Sequence, residues 1–369
     1  MIYETNGLRR HRACRVIRAA VRLGIHLSLV AIGGLTVADD DDALLPGMER
    51  LSLERPLDEV MVEGIDRHLM NLTTRSAAAR DRLLPIEPDA IAASREQLRS
   101  LVGAVDPRVP TDGGITSFER YGATSEHVDE SPGPAAIARG PDGFSIRVSR
   151  VRIDVLDGVT ADGLMVEPST PPLAFVVALG DAAWTPEQFV GIEPGVAPSA
   201  QLPRRLAEQS ITVFVPTMID RGTRLAGNPD VGFTNQSHRE FLHRTGFEVG
   251  RHPIGYEIQR VLAAVDRLVP MGRPVGVAGV GEGGLVTLFA AALDERIDSA
   301  LVSGSFGPAE DSWRQPIDRS IWRRLEAHGD AELAALVSPR RLVVEAAGVP
   351  SFESPPPTSG RSVSAPGRI

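Results

Sequence analysis

Lysine is absent from this 369-residue chain: all 39 of its basic Lys/Arg positions are arginine. No Schiff-base or pyridoxal-phosphate lysine is therefore available, nor a P-loop lysine to reach nucleotide phosphates. A GC-rich coding sequence accounts for such a bias, so arginine clusters do not by themselves mark a nucleic-acid surface. The net charge of −9 argues against one as well. Cysteine occurs once, as Cys14. No apolar run reaches the roughly 20 residues that a membrane-spanning helix needs. Aromatic residues make up only 5% of the chain, but 42% of it is hydrophobic, enough to bury a large core in one domain or two.

The first segment reads as an address. Six arginines lie within residues 9–22, and one acid, Glu4, precedes them. An apolar run over residues 23–35 follows, then the small-residue site Thr36-Val37-Ala38 and four aspartates, Asp39 to Asp42. This order is that of a secretory signal peptide over residues 1–38, cleaved near Ala38. The alternative is an uncleaved signal that anchors the chain to a membrane. Cleavage would remove the only cysteine, and with it disulfides, thiolate nucleophiles and Cys-based metal sites. The destination implied is secreted or periplasmic.

Beyond the address, residues 39–110 read as a helical segment without chemistry. Leu57, Met61, Ile65 and Leu69 recur at four-residue steps, and a second helix is expected over 89–105. Residues 111–143, rich in Pro, Gly, Ser and charge, read as a linker or excursion. The pattern then changes over 144–348. A hairpin is expected over 144–156 and 163–166, followed by doubly buried strands at 173–179 and 211–215 and a helix between them at 199–209. Residues 228–250 look irregular. A helix at 254–268 carries Ile254, Ile258, Val261, Leu262 and Val265 at core spacing. Strands at 275–278, 299–303 and 342–345 alternate with helices at 285–293 and 331–337. Residues 349–369 form a Pro/Ser/Gly-rich tail expected to be disordered. Alternating buried strands and helices after an antiparallel start predict an α/β, doubly wound, mostly parallel sheet.

The strand at 275–278 runs into Gly279-Val280-Gly281-Glu282-Gly283-Gly284 and then a helix. Gly279, Gly281 and Gly284 match a dinucleotide-binding spacing, but such a turn usually opens its fold, and Glu282 would face the pyrophosphate. The other reading is the nucleophile elbow G-x-S-x-G, a sharp strand-to-helix turn built on Gly279, Gly281, Gly283 and Gly284.

These residues carry a family resemblance. GRHPIGYEIQRVLAAVDRL, PVGVAGVGEGGLVTLFAAALDERIDSALVSGSFG and SPRRLVVEA make residues 151–346 resemble the α/β-hydrolase superfamily, on its dienelactone hydrolase and acetyl xylan esterase-like side. The resemblance implies an α/β-hydrolase-type sheet, no cofactor, and a Ser-His-acid triad. This chain departs from the triad. Gly281 stands at the serine position, and no histidine follows His328. A truncated product, lacking the last strand and histidine of such a sheet, would also explain the tail, but it would not restore a serine at Gly281.

Ligands in open α/β sheets bind beyond the carboxyl ends of the strands. The residues expected there are Asp181, Trp184, Thr217, Asp220, Arg221, Glu282, Ser303, Ser305 and Glu345, with His238, His243 and His252 nearby. Glu282, His252 and Asp220 are the candidate catalytic residues, and Asp181, Trp184, Arg221, Ser303 and Ser305 the candidate pocket. Asp181, Asp220 and Glu282 with a histidine would suit a hard cation, though no metal site is assigned. Ser303 or Ser305 with His252 would make a displaced nucleophile pair. The bland readings are equally concrete. Glu282 points outward at its helix start, Asp220-Arg221 forms a turn or local pair, His238-Arg239-Glu240 begins a helix, and Trp184 covers the core. Asn71 and Asn235 begin sequons, relevant only in a glycosylating host.

Two functions remain. One is an exported carboxylic-ester hydrolase acting on acetyl esters or lactones, with a non-standard site. The other is a catalytically inactive hydrolase-fold protein that binds carbohydrate or a protein partner. Both expect a small-molecule ester or carbohydrate as ligand, no nucleic acid and no stable membrane span.

Overall fold

The computed structural model describes residues 55–80, 87–110, 115–120, 136–139, 145–226 and 236–346. The proposed signal segment and the Pro-rich tail lie outside the described residues. Two compact units divide the chain, residues 1–64 and 65–369. Of the first, only the start of α1 (Leu57–Arg80) and the two residues before it are described, and there Arg55 pairs with Glu63 through two bonds of 2.6 and 2.7 Å.

The second unit holds the sheet. After α2 (Pro88–Leu101) come β1 (Thr116–Arg120) and β2 (Ala136–Arg139), then β3 (Ser145–Leu156), β4 (Val159–Pro168) and β5 (Ala174–Leu179). Helices α3 (Pro186–Val190) and α4 (Leu202–Ala207) lead to β6 (Ile211–Pro216). Next are α5 (His238–Phe247), α6 (Pro253–Leu268), β7 (Val275–Val280) and α7 (Glu282–Leu293). The chain continues with β8 (Ser299–Ser303), α8 (Asp330–Val337) and β9 (Arg341–Glu345). The strand order is β1-β3-β4-β6-β5-β7-β8-β9, with β2 also paired to β3. Strands β1 to β4 pair antiparallel, as does β4 with β6, and from β6 through β9 the pairing is parallel.

Two expectations change here. The stretch read as a linker contributes β1 and β2, which add to β3 through backbone pairing and so need no apolar periodicity of their own. The stretch read as irregular contains α5, whose start is fixed by Ser237 accepting the Glu240 N–H at 3.2 Å. The bland reading of His238-Arg239-Glu240 as a helix start therefore holds.

Burial follows the sequence pattern closely on α6, where Ile254, Ile258, Val261, Leu262 and Val265 all lie in the core. Helix α7 is buried along its whole length, which its run of Leu, Val, Phe and Ala permits. The two faces of the sheet have separate cores: α6, α7 and α8 cover one, and α3 and α4 the other. Strand β5 has β6 on one side and β7 on the other, so the chain reverses its winding direction there. That switch point opens the crevice in which doubly wound sheets hold their ligands.

Close backbone packing explains the elbow glycines. A Cβ on Gly283 would stand 2.4 and 2.5 Å from the carbonyl oxygens of Leu179 and Gly180, and one on Gly279 would stand 2.1 Å from that of Gly283. Helix α7 thus lies directly against the end of β5. Gly283→Ala is expected to cost about 1–3 kcal/mol by overpacking, read as a lower midpoint in urea denaturation. An unchanged midpoint would show that α7 sits farther from β5.

Candidate functional site

The turn from β7 into α7 has Gly281 at its apex, with φ 59° and ψ −118°. Side-chain-bearing residues rarely adopt this conformation, and a strained turn of this kind presents its central residue at the top of the sheet. The Gly281 N–H donates to the Ser303 carbonyl at 2.9 Å, which ties the elbow to β8. The next N–H, that of Glu282, donates to Asp181 Oδ2 at 3.1 Å. The other Asp181 oxygen accepts the Ala183 N–H at 3.0 Å. A carboxylate therefore sits at the amino end of α7, where the helix dipole favours negative charge.

Glu282 points inward, contrary to the outward reading. Its side chain is fully buried and meets three guanidinium groups. Arg221 Nη2 and Arg319 Nε donate to Oε2, and Arg239 Nη2 to Oε1, each at 2.9 Å. Arg239, with no solvent exposure, also binds Asp318 at 2.7 Å and Glu257 at 2.9 Å. Arg221 binds Asp318 at 3.1 Å. Three arginines and three carboxylates thus form one buried network with balanced formal charge. Burial alone would raise the Glu282 and Asp318 carboxyls, but the arginine charges outweigh it and hold both below the ordinary range. Burial keeps Glu257 above that range despite Arg239. Burial would likewise lower Arg239, yet its three carboxylate partners raise it.

The other candidates occupy separate places. Asp220 contacts His238 Nδ1 and accepts the Gly222 N–H at 2.9 Å, so it shapes a turn as the bland reading supposed. Its neighbour Arg221 reaches the network instead. His252 caps α6: Nδ1 accepts the Ile254 N–H at 3.2 Å, which leaves the proton on Nε2, 3.3 Å from the Ser320 carbonyl. Burial, reinforced by His243, lowers its pKa to about 4. Ser303 Oγ donates to Glu345 Oε2 at 2.6 Å, and Ser305 Oγ packs against Gly284, so neither pairs with His252. Trp184 packs its ring 5.7 Å from that of Phe189 and helps cover the core on the α3 side. No group of three or more His, Cys, Asp or Glu among the described residues is arranged to hold a metal ion.

Four network members escaped the sequence reading. Glu257 had a signal: it falls on the apolar stripe of α6 between Ile254 and Ile258. Arg239 sits in a short helix with a weak apolar pattern, and Asp318 and Arg319 in an aperiodic crossover, so these three carried none.

No protein-family model matches the chain, and no curated protein does. Solved structures do. A protein assigned as an acetyl xylan esterase from Bacteroides fragilis aligns over 69% of this chain and 67% of its own, at 13% identity and a TM-score of 0.50. A glucuronoyl esterase from Teredinibacter turnerae covers 69% of this chain and 67% of its own, at 14% identity and a TM-score of 0.40. Acetyl xylan esterase 1 from a Thermoanaerobacterium species covers 73% and 90%, at 13% identity and a TM-score of 0.39. Sheet order, the position of the elbow and the first of these superpositions agree on one architecture: the chain has an α/β-hydrolase-type fold.

Proposed function

We propose that this chain is an exported hydrolase-fold protein that binds its ligand without hydrolysing it. The observation that carries the proposal is the elbow: Gly281 has no side chain at its apex, and the Asp181 carboxylate occupies the N–H that follows. Acyl transfer needs a nucleophile, a base to activate it and donors aimed at the developing oxyanion. Gly281 supplies no nucleophile. Asp181 takes up a donor and sets a negative charge where an oxyanion would gather. The candidate bases are also engaged. Glu282 is held anionic by three arginines, and His252 uses both ring nitrogens. Export rests on the charge and apolar pattern of residues 1–38.

Esterases among the solved structures make acetyl esters the class to test. Wild-type protein incubated with p-nitrophenyl acetate and acetylated xylo-oligosaccharides should release acetate no faster than buffer alone. Gly281→Ser should remain silent, because a serine there still faces the Asp181 carboxylate. Wild-type turnover abolished by Glu282→Gln would replace this proposal with an acid-dependent esterase on acetyl or lactone substrates.

A further inference from the structure

Strand β9 ends the sheet. It pairs with β8 on one side, and no strand among the described residues pairs with it on the other. Its side chains are also open to solvent, Val343 at 45% and Val344 at 41%. An apolar edge with unpaired backbone groups is a template for a further strand.

Backbone register limits what can pair there. The Gly304 N–H donates to the Glu345 carbonyl at 3.3 Å, so the backbone groups of Glu345 face β8. By alternation those of Val343 and Arg341 do too, and those of Leu342 and Val344 face the open edge. A second copy of β9 laid antiparallel must therefore exchange its bonds through Leu342 and Val344. Registers centred on Leu342, Val343 or Val344 all allow this. Centred on Leu342, Arg341 meets Val343; centred on Val344, Val343 meets Glu345. Only the register centred on Val343 sets Arg341 opposite Glu345, and two-fold symmetry does so at both ends.

In that register Leu342 and Val344 form the hydrogen-bonded pairs. Arg341–Glu345 and Val343–Val343 are pairs of the other kind, whose Cα atoms stand about 4.5 Å apart and whose side chains meet closely. The charges are available for it. Arg341 is exposed and has no ion-pair partner among the described residues. Glu345 is exposed as well, with one oxygen accepting the Ser303 Oγ–H at 2.6 Å and the other left for a guanidinium. Charged residues ordinarily blunt an edge strand. With opposite signs at its two ends, Arg-Leu-Val-Val-Glu instead selects an antiparallel copy of itself. The residues after the strand, 347–369, contain five prolines, which lack the N–H that an added strand needs, so they are the poorer occupant.

We propose that β9 is a self-complementary interface: a second copy of this chain adds its β9 antiparallel, centred on Val343, and joins two sheets into one.

Sedimentation of the protein from about 1 to 200 µM tests it, a range that makes a micromolar Kd readable. The wild type is expected to pass from monomer to dimer. Arg341→Glu should weaken the dimer by about tenfold or more, because both cross-strand pairs become like-charged at once. Glu345→Arg should do the same. An equimolar mixture of the two variants should dimerise again, since every opposed pair then carries opposite signs. If Glu345→Arg unfolds on losing its Ser303 contact, Arg341→Glu alone still decides. A dimer indifferent to Arg341→Glu overturns the proposal, as does a mixture that stays monomeric when both variants are folded. A wild type that remains monomeric also overturns it, and slow hydrogen exchange at the Leu342 and Val344 amides of that monomer would place the tail on the edge instead.

Discussion

Arg239→Met is expected to destabilise the protein by about 3–5 kcal/mol, the usual cost of breaking a buried ion pair from one side. Arg239 is the hub of the network, bound to Glu257, Glu282 and Asp318 with no solvent contact. Methionine fills much of its volume but leaves three carboxylates for only two guanidinium groups, Arg221 and Arg319. The excess negative charge cannot reach water. For a unit of this size, such a loss lowers the melting temperature by roughly 10 °C. Arg204→Ala provides the contrast, because Arg204 and Glu208 form an exposed i,i+4 pair at 3.2 Å. Exposed pairs of this kind contribute about 0.3–0.5 kcal/mol. Thermal melts of the two variants should differ widely. If Arg239→Met melts with the wild type, the charges are not buried together as described.

Acid should weaken the fold well before its carboxylates titrate. His252 and His328 are both buried, and burial first, then the neighbouring His243 imidazole for His252 and Arg324 for His328, lowers each to about pH 4. In the unfolded chain each takes up its proton near pH 6.5. Between these values the unfolded state binds more protons, so stability falls as pH drops from about 6.5 to 4 and levels off below. Each histidine accounts for about 3 kcal/mol across that window by the linkage relation. Glu282, Asp318 and Asp266 act later. Arginine partners hold all three below their ordinary values, so their stabilisation is complete above the unfolded carboxylate range and is lost as pH falls through the folded values. Glu257, held high by burial, runs the other way and offsets part of that loss. Urea denaturation at steps from pH 7.5 to 4 measures the first arm. His243, buried and lowered in the same direction, adds to this arm, so replacing His328, whose Nε2 lies 2.9 Å from Ser94 Oγ, with leucine should flatten part of it. A wild-type profile flat between pH 7 and 5 would contradict neutral, buried imidazoles.

The sheet was legible because its central strands are buried on both faces and its helices repeat apolar residues at helical spacing. LAFVVAL and the stripe Ile254, Ile258, Val261, Leu262, Val265 needed no tertiary information to be read. The added strands β1 and β2 were not legible, since backbone pairing to β3 stabilises them without an apolar pattern. At the site, the elbow was visible from its glycines, with glycine at its apex, Gly281. The orientation of Glu282 was not visible. A helix-start glutamate normally faces water, and it turns inward here only because Arg221, Arg239 and Arg319 converge from three different segments. Ion pairs between residues 37 to 61 positions apart leave no periodic trace. Asp181 was placed near the pocket by its position after β5, but its contact with the Glu282 N–H depends on the close approach of α7 to that strand.

Stopped-flow mixing of wild-type protein with p-nitrophenyl acetate tests the central claim most directly. The proposed lack of a nucleophile at the elbow predicts neither a burst of nitrophenolate nor steady release above the rate of buffer. A burst stoichiometric with protein would mean that some side chain is acylated, and would contradict the account.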